Sequence, residues 1–151
     1  MLRMAGPPDA APITALWTAP ANAMWIEPPE EGQVAEAIDA GNAFVWQLGG
    51  EVHGFATIFP WVPRVWGLAA LAVTRPGTGE LLLRAVLAEV FGPRGGHRIG
   101  LDVTTDNVRA LRLYDRLGFR REGLLRECWL RPDGAWVDCH MMGLLAREWQ
   151  P

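Results

Sequence analysis

Two stretches of this sequence put chemically useful residue types at useful spacing. The first is Val73-Thr74-Arg75-Pro76-Gly77-Thr78-Gly79-Glu80-Leu81-Leu82. An apolar run passes into a glycine-containing loop and then into a helical pattern. A helix N-terminus exposes unpaired N–H groups and a partial positive charge, so such a junction suits a phosphate or pyrophosphate. Glycine lets the backbone approach the anion with no Cβ in the way. Alone, a Gly-x-Gly is also the mark of an ordinary strand-to-helix turn. The second stretch runs from Leu101 to Phe119. Asp102 interrupts an apolar strand pattern, which is costly without a partner or an aqueous cleft. Asp106 or Asn107 is placed to cap the following helix. Tyr114 lies two turns into that helix and is the one tyrosine in a chain with eight tryptophans. It reads either as a core aromatic or as a proton donor.

The elements that must position these residues follow from patterning. Leu2 to Ala5 reads as a short strand. Asp9 is placed to cap a helix through Trp17, with Pro12 in its first turn, where proline is tolerated. A Pro- and Trp-containing connection, residues 18–29, leads to a second helix over Glu30 to Asp39, ended by Gly41. Ala43 to Leu48 and Val52 to Phe59 form a hairpin about Gly49-Gly50. Pro60 to Pro63 reads as a loop. Val65 to Val73 is a nearly continuous apolar strand. Gly77 to Phe91 is a helix with Leu81, Leu82, Ala85, Val86 and Val90 as its apolar stripe. Arg98 to Thr104 is a strand, Asn107 to Leu117 a helix stopped by Gly118, and Phe119 to Leu130 with Ala135 to Leu145 a long hairpin. The order is β-α-α-β-β-β-α-β-α-β-β, in one domain spanning residues 1–151.

Composition narrows the function classes. Half the residues are apolar and 21% charged, which excludes a disordered chain. The net charge of −3 offers no broad basic face for nucleic acid. No apolar run is long enough for a membrane span, and the first residues lack a signal-peptide core, so a cytoplasmic protein is expected. All 14 basic residues are arginine. Cysteine and histidine spacing matches no metal site, and none is expected.

The two cysteines, Cys128 and Cys139, flank the turn Arg131-Pro132-Asp133-Gly134-Ala135. Pro132-Asp133 fits the centre of a type I turn, with Gly134 left-handed after it. This pairs Arg131 with Ala135 and sets Cys128 opposite Asp138. Alternation then sends the cysteines to opposite faces, as free thiols in a reducing compartment.

The motif Asn107-x-x-Ala110-x-x-Leu113-Tyr114-x-x-Leu117-Gly118-Phe119 is similar to the pattern of the GNAT superfamily of acetyl-CoA-dependent N-acetyltransferases. The Gly77-x-Gly79-x-x-Leu82-Leu83 helix start, the strand order, and a tail with Gly123 and Gly134-x-x-x-Asp138-x-x-x-Met142 agree with it. The tail resembles the branch with ribosomal-protein N-terminal acetyltransferases. The resemblance implies an α/β fold: a mixed, mostly antiparallel sheet of about seven strands flanked by about four helices. It implies acetyl-CoA as co-substrate. The pantetheine arm would pair with Leu71, Ala72 and Val73, and the pyrophosphate would meet Gly77, Thr78, Gly79 and Glu80. Asn107 would touch the arm, Tyr114 would protonate the leaving thiolate, and Asp102 stands where some relatives carry a glutamate base. The acceptor would be a primary amine, on a small molecule or a protein N-terminus. Neither nucleic acid nor membrane is implied, and a homodimer is left open.

Two departures stand out. One residue, not two, separates Arg75 from Gly77, so the phosphate loop is shortened. The fourth strand carries no glutamate, which leaves Asp102, His53 or a water as base. The shortened loop keeps a second reading open: a weakly catalytic module that binds acyl-CoA or a protein partner. Trp46 and Trp66 read as core. Trp17, Trp25, Trp61, Trp129 and Trp136 fall near the elements that wall the acceptor cleft in this family, with packing the commoner role.

Overall fold

A computed structural model describes residues 1–151. Seven strands form one sheet in the order β1-β2-β3-β4-β5-β7-β6, with β1 Leu2–Met4, β2 Ala43–Leu48, β3 Glu51–Val62, β4 Val65–Val73, β5 Arg98–Thr104, β6 Arg120–Leu130 and β7 Trp136–Leu145. Every neighbouring pair is antiparallel except β4 with β5. Four α-helices lie against it: α1 Ala10–Trp17, α2 Gln33–Asp39, α3 Thr78–Phe91 and α4 Val108–Arg116. The expected element order and fold class are those observed.

Period-two alternation in the strands feeds two cores. Phe44, Ala56, Ile58, Leu101 and Val103 meet the α3 stripe of Leu82, Leu83, Val86, Leu87 and Val90 and, from α4, Leu111 and Tyr114. On the other face Val45, Phe55, Ala70 and Ala72 meet Ile13, Trp17, Val34 and Ile38 of α1 and α2. Burial of these apolar side chains, at roughly 1.5–3 kcal/mol each when complete, is the main favourable term.

The structure moves several expected boundaries. Strand β3 runs on through the supposed loop, Pro60 pairing with Trp66. A register shift lies between Pro60 and Val62, where a missing N–H is tolerated. The turn itself is Pro63-Arg64, with Arg64 left-handed at φ 65°. Helix α2 starts at Gln33, not Glu30, because Gly32 before it is left-handed at φ 81°. Asp9 precedes α1 but does not cap it: its carboxylate takes both Arg3 guanidinium nitrogens, at 2.7 and 2.9 Å, and the Gly6 N–H. That fork holds its carboxyl below the usual carboxylate range.

The strand pair that matters most for the site is β4 with β5. They pair only at Val65–Arg98, Trp66–Ile99 and Gly67–Gly100. Beyond Gly67 they part. The register on β3 passes from Thr57–Ala70 to Ile58–Leu68, so Ala69 is the extra residue of a bulge in β4. A bulge bends its strand and raises its twist, which opens the sheet at this point. Strand β5 keeps full pairing with β7 along its other edge, from Arg98–Leu145 to Thr104–Cys139. The opening is therefore a gap within an otherwise continuous sheet.

Candidate active site

Along the β4 side of the gap, the Thr74 N–H donates to the His53 carbonyl on β3 at 2.9 Å. By alternation the Ala72 N–H points the same way, and those of Leu71 and Val73 point to the edge that β5 has left. Leu71 and Val73 are half-buried and Ala72 is buried. Immediately after β4, Gly77 is left-handed at φ 84° and turns the chain into α3. A Cβ there would meet nothing within 4 Å, so its glycine is needed for the backbone and not for space. The Gly79 and Glu80 N–H groups find no acceptor in the chain, while Thr78 N–H reaches the Arg75 carbonyl at 3.4 Å. These free donors lie at the positive end of a 14-residue helix. The Glu80 carboxylate is neutralised by Arg84 at 3.0 Å and Arg116 at 3.2 Å. The hydrogen bond from Arg84, then that from Arg116, hold its carboxyl below the usual range. Short as it is, the loop leaves the Gly79 and Glu80 N–H groups unpaired at the helix start.

The β5 side carries Asp102. Of the two settings such a carboxylate can have, a partner or an aqueous cleft, it has the second: Asp102 is exposed and lines the cleft. Its neighbours Leu101 and Val103 point into the core, and alternation turns Asp102 to the opposite face, where the opened gap lets in water. It makes no ion pair. Tyr114, one turn from the end of α4, is only 8% exposed and packs against Phe119 at 5.6 Å between ring centres. Its hydroxyl makes no hydrogen bond within the chain. The one side-chain polar atom both sealed and unpartnered is Thr57 Oγ1, so the phenol oxygen still reaches open space. Burial, and then the Asp102 charge, push the Tyr114 phenol well above its ordinary value. It is held protonated, as a proton donor requires. Asn107 caps α4 by accepting the Ala110 N–H on its side-chain oxygen at 3.2 Å, leaving its NH2 group unused. His53, the alternative base, is engaged with Thr74 at 3.2 Å and lines no part of the cleft.

The gap opens into a cleft of about 450 Å³. Asp102 and Thr104 form one wall. Trp17, Trp25, Glu27 and Glu30 come from α1 and the connection after it, and Trp129 from the end of β6. Every ionisable carboxyl or basic side chain in the lining is acidic. Of the five tryptophans expected near the cleft, Trp17, Trp25 and Trp129 line it; Trp61 and Trp136 stand exposed elsewhere.

Two features of the cleft escaped the sequence. The cysteines are not free: Cys128 and Cys139 form a disulfide across β6 and β7, Cα to Cα 6.3 Å, and both line the cleft. The turn is as expected, with the Arg131 N–H on the Ala135 carbonyl at 2.9 Å. The pairing then slips from Trp129–Val137 to Leu125–Cys139. The bulge between them holds Glu127 left-handed at φ 47°, its N–H on the Asp138 carboxylate at 2.8 Å. That bulge turns Cys128 onto the face of Cys139. A non-glycine residue at positive φ has no plain sequence signal. The second feature is Arg131, a buried guanidinium at the foot of the turn, whose partners are far away in sequence.

No group of three or more His, Cys, Asp or Glu side chains is placed to hold a metal ion. No helix is long and apolar enough to cross a membrane.

Solved structures share the fold. Spermidine N-acetyltransferase from Vibrio cholerae, in complex with CoA and spermine, superposes with a TM-score of 0.84 at 22% identity, over 98% of this chain and 96% of that one. Ribosomal-protein-alanine N-acetyltransferase from Brucella melitensis gives 0.82 at 20% identity, over 96% and 99%. Ribosomal-protein-S18-alanine N-acetyltransferase from Escherichia coli gives 0.77 at 24% identity, over 97% and 93%. At these identities the likeness is one of fold. The family model described as Acetyltransferase (GNAT) family matches residues 11–119 and so takes in α1, the opened strand pair, the glycine turn and α4 through Phe119; the chain belongs to that family.

Proposed function

We propose that this protein transfers acetyl from acetyl-CoA to a primary amine by direct attack, within the gap between β4 and β5. The observation that carries the reading is the gap itself, with an unpaired β4 edge on one side and Asp102 in the cleft lining on the other; Tyr114 stands outside that lining, on the α3–α4 core side, with its hydroxyl unpartnered. Acetyl-CoA fits the donors present. The Gly79 and Glu80 N–H groups would take its pyrophosphate. The Leu71 and Val73 N–H groups would pair with its pantetheine arm as a further strand does, with Ala72 between them holding β4 to β3. Thr78 is buried and shapes the cradle, and the free Asn107 NH2 would meet the arm. When bound, acetyl-CoA supplies an activated thioester carbonyl.

The remaining chemistry falls to the chain. An ammonium must lose a proton before it can attack, and Asp102 accepts it directly or through a water. One β4 N–H, preorganised on the sheet, donates to the carbonyl oxygen as negative charge develops there. As the new C–N bond forms and the C–S bond breaks, Tyr114 gives its proton to the departing sulfur, and the nitrogen sheds its surplus proton to water, from which the phenol is restored. Holding amine and thioester together supplies much of the rate with no covalent enzyme intermediate.

The acceptor is cationic before reaction, and the acidic, indole-walled cleft favours it. Relatives in fold named for a protein alanine and for spermidine support either acceptor type. The cytoplasm, which holds the acetyl donor, is the compartment this reading requires; Cys128 is exposed, so its disulfide would be open to reduction there. The test is free-thiol release from acetyl-CoA over a panel of peptides and small amines. Amine-dependent release supports the reading. Acetyl-CoA binding without release on any amine would favour the weakly catalytic module.

A further inference from the structure

The foot of a hairpin turn is an odd place for a buried charge. Arg131 is 7% exposed, although Leu130 and Pro132 beside it are exposed. A buried guanidinium is tolerated only if its donors are satisfied and its charge is paired. Here they are. The two terminal nitrogens fork onto the Asp106 carboxylate at 2.7 and 2.6 Å. One of them also reaches Thr104 Oγ1 at 3.4 Å, and Nε donates to the Met24 carbonyl at 3.0 Å. The planar group packs by two tryptophans, 5.2 Å from the Trp25 ring centre and 5.7 Å from that of Trp129.

These partners come from three separate stretches, and each belongs to the cleft or adjoins it. Thr104, Trp25 and Trp129 line it, Met24 precedes Trp25, and Asp106 precedes the α4 cap Asn107. The connection between α1 and α2 has few other ties: the Trp17 indole N–H on the Glu27 carbonyl at 2.8 Å, Asn22 on the Leu16 carbonyl at 2.8 Å, and Ile26, half-buried against the core of α1 and α2. Trp25 itself is 42% exposed and has no deep core contact to fix it. Arg131 is thus the one side chain that joins the hairpin, the β5–α4 turn and this connection. Because Asp106 absorbs its charge, it fixes the walls without making the cleft cationic.

We propose that Arg131 is a specificity-determining positioning residue, which holds Trp25 and Trp129 as fixed walls of the acceptor cleft. The inference rests on the acetyl-transfer reading. Lysine cannot replace it: an ammonium has neither the fork for Asp106 nor the flat face for two indoles.

The test compares Arg131→Lys and Trp25→Ala with the unaltered protein. Probes are acetyl-CoA with spermidine and with a short alanine-led peptide, alongside amide hydrogen exchange. In Arg131→Lys, exchange at Met24 to Ile26 should rise while α3 amides stay protected. The KM for whichever probe is used best should rise about tenfold or more, with kcat and acetyl-CoA affinity within about twofold of the unaltered protein. Trp25→Ala removes a wall directly and should raise the same KM, which keeps the test intact if Arg131→Lys folds poorly. A loosened segment with unchanged KM, or an unchanged KM in Trp25→Ala, overturns the proposal. So does a uniform loss of kcat, acetyl-CoA affinity and melting temperature, which marks a merely structural ion pair. If the unaltered protein releases thiol with no amine, the acetyl-transfer reading fails instead; the exchange data then still decide whether Arg131 holds Trp25.

Discussion

On the α3 side, the site is made of consecutive residues: β4 from Leu71 to Val73, a turn through Gly77, and the free N–H groups of Gly79 and Glu80. Backbone geometry supplies the donors, and the turn depends on the left-handed conformation that Gly77 allows. On the hairpin side, nothing is consecutive. Trp25, Thr104 and Trp129 are brought together by Arg131, and Cys128 is tied to Cys139 across a bulge. A co-substrate common to a family can be met by a local motif. On the proposed reading, an acceptor that differs between relatives would be met by long-range side-chain ties, which can change without disturbing the first set.

Substitutions on each side should therefore separate cleanly. The largest effect is expected at the junction. Tyr114→Phe keeps the buried ring and removes a hydroxyl with no partner in the chain, so stability should hardly move. Loss of general acid catalysis should lower kcat by roughly 10²–10⁴-fold. Unchanged turnover would make Tyr114 a core aromatic. Asp102→Asn comes next, with kcat/KM down by about 10²-fold while acetyl-CoA still binds. Since Asp102 is exposed and unpaired, its melting temperature should hold; a large fall would mean a structural role.

Smaller effects should keep to one side. Gly79→Asp adds bulk and a negative charge where a phosphate would lie. Acetyl-CoA affinity should drop by about tenfold or more, the equivalent of ~1.4 kcal/mol, with amine KM unchanged. Conversely, changing both Cys128 and Cys139 to Ser removes a cross-link, whose loss in small domains costs about 2–4 kcal/mol. Denaturant unfolding should show that loss while acetyl-CoA affinity stays put. If the double serine variant bound acetyl-CoA much more weakly, the two sides would not be independent.

The same division explains what could be read from the sequence. The α3 side was legible because local rules govern it: an apolar run, a glycine-containing loop, a helix start; that Gly77 serves the backbone turn and not space was not. The element order, the Asn107 cap and the hairpin turn at Gly134 were legible too. Asp102 was found, but the choice between a charge partner and an aqueous cleft was not legible, since the parting of β4 and β5 depends on a bulge at Ala69 that leaves no mark in an apolar run. The disulfide was missed for a related reason. A single left-handed glutamate, Glu127, shifts register between a correctly placed turn and the cysteines above it. Arg131 was named only as a turn residue, because its partners Met24, Thr104 and Asp106 are 107, 27 and 25 residues away in the chain.

At the centre of this account is the free β4 edge as the seat of acetyl-CoA. Residue-resolved amide exchange with and without saturating acetyl-CoA tests it most directly. The Leu71 and Val73 amides, open in the free protein, should become protected together with Gly79 and Glu80, while Ala72, already bonded to β3, should change little. At about 100 times its dissociation constant the ligand should also stabilise the fold by roughly 2.7 kcal/mol. Protection absent at Leu71, Val73, Gly79 and Glu80, with the melting temperature unmoved by millimolar acetyl-CoA, would contradict the account.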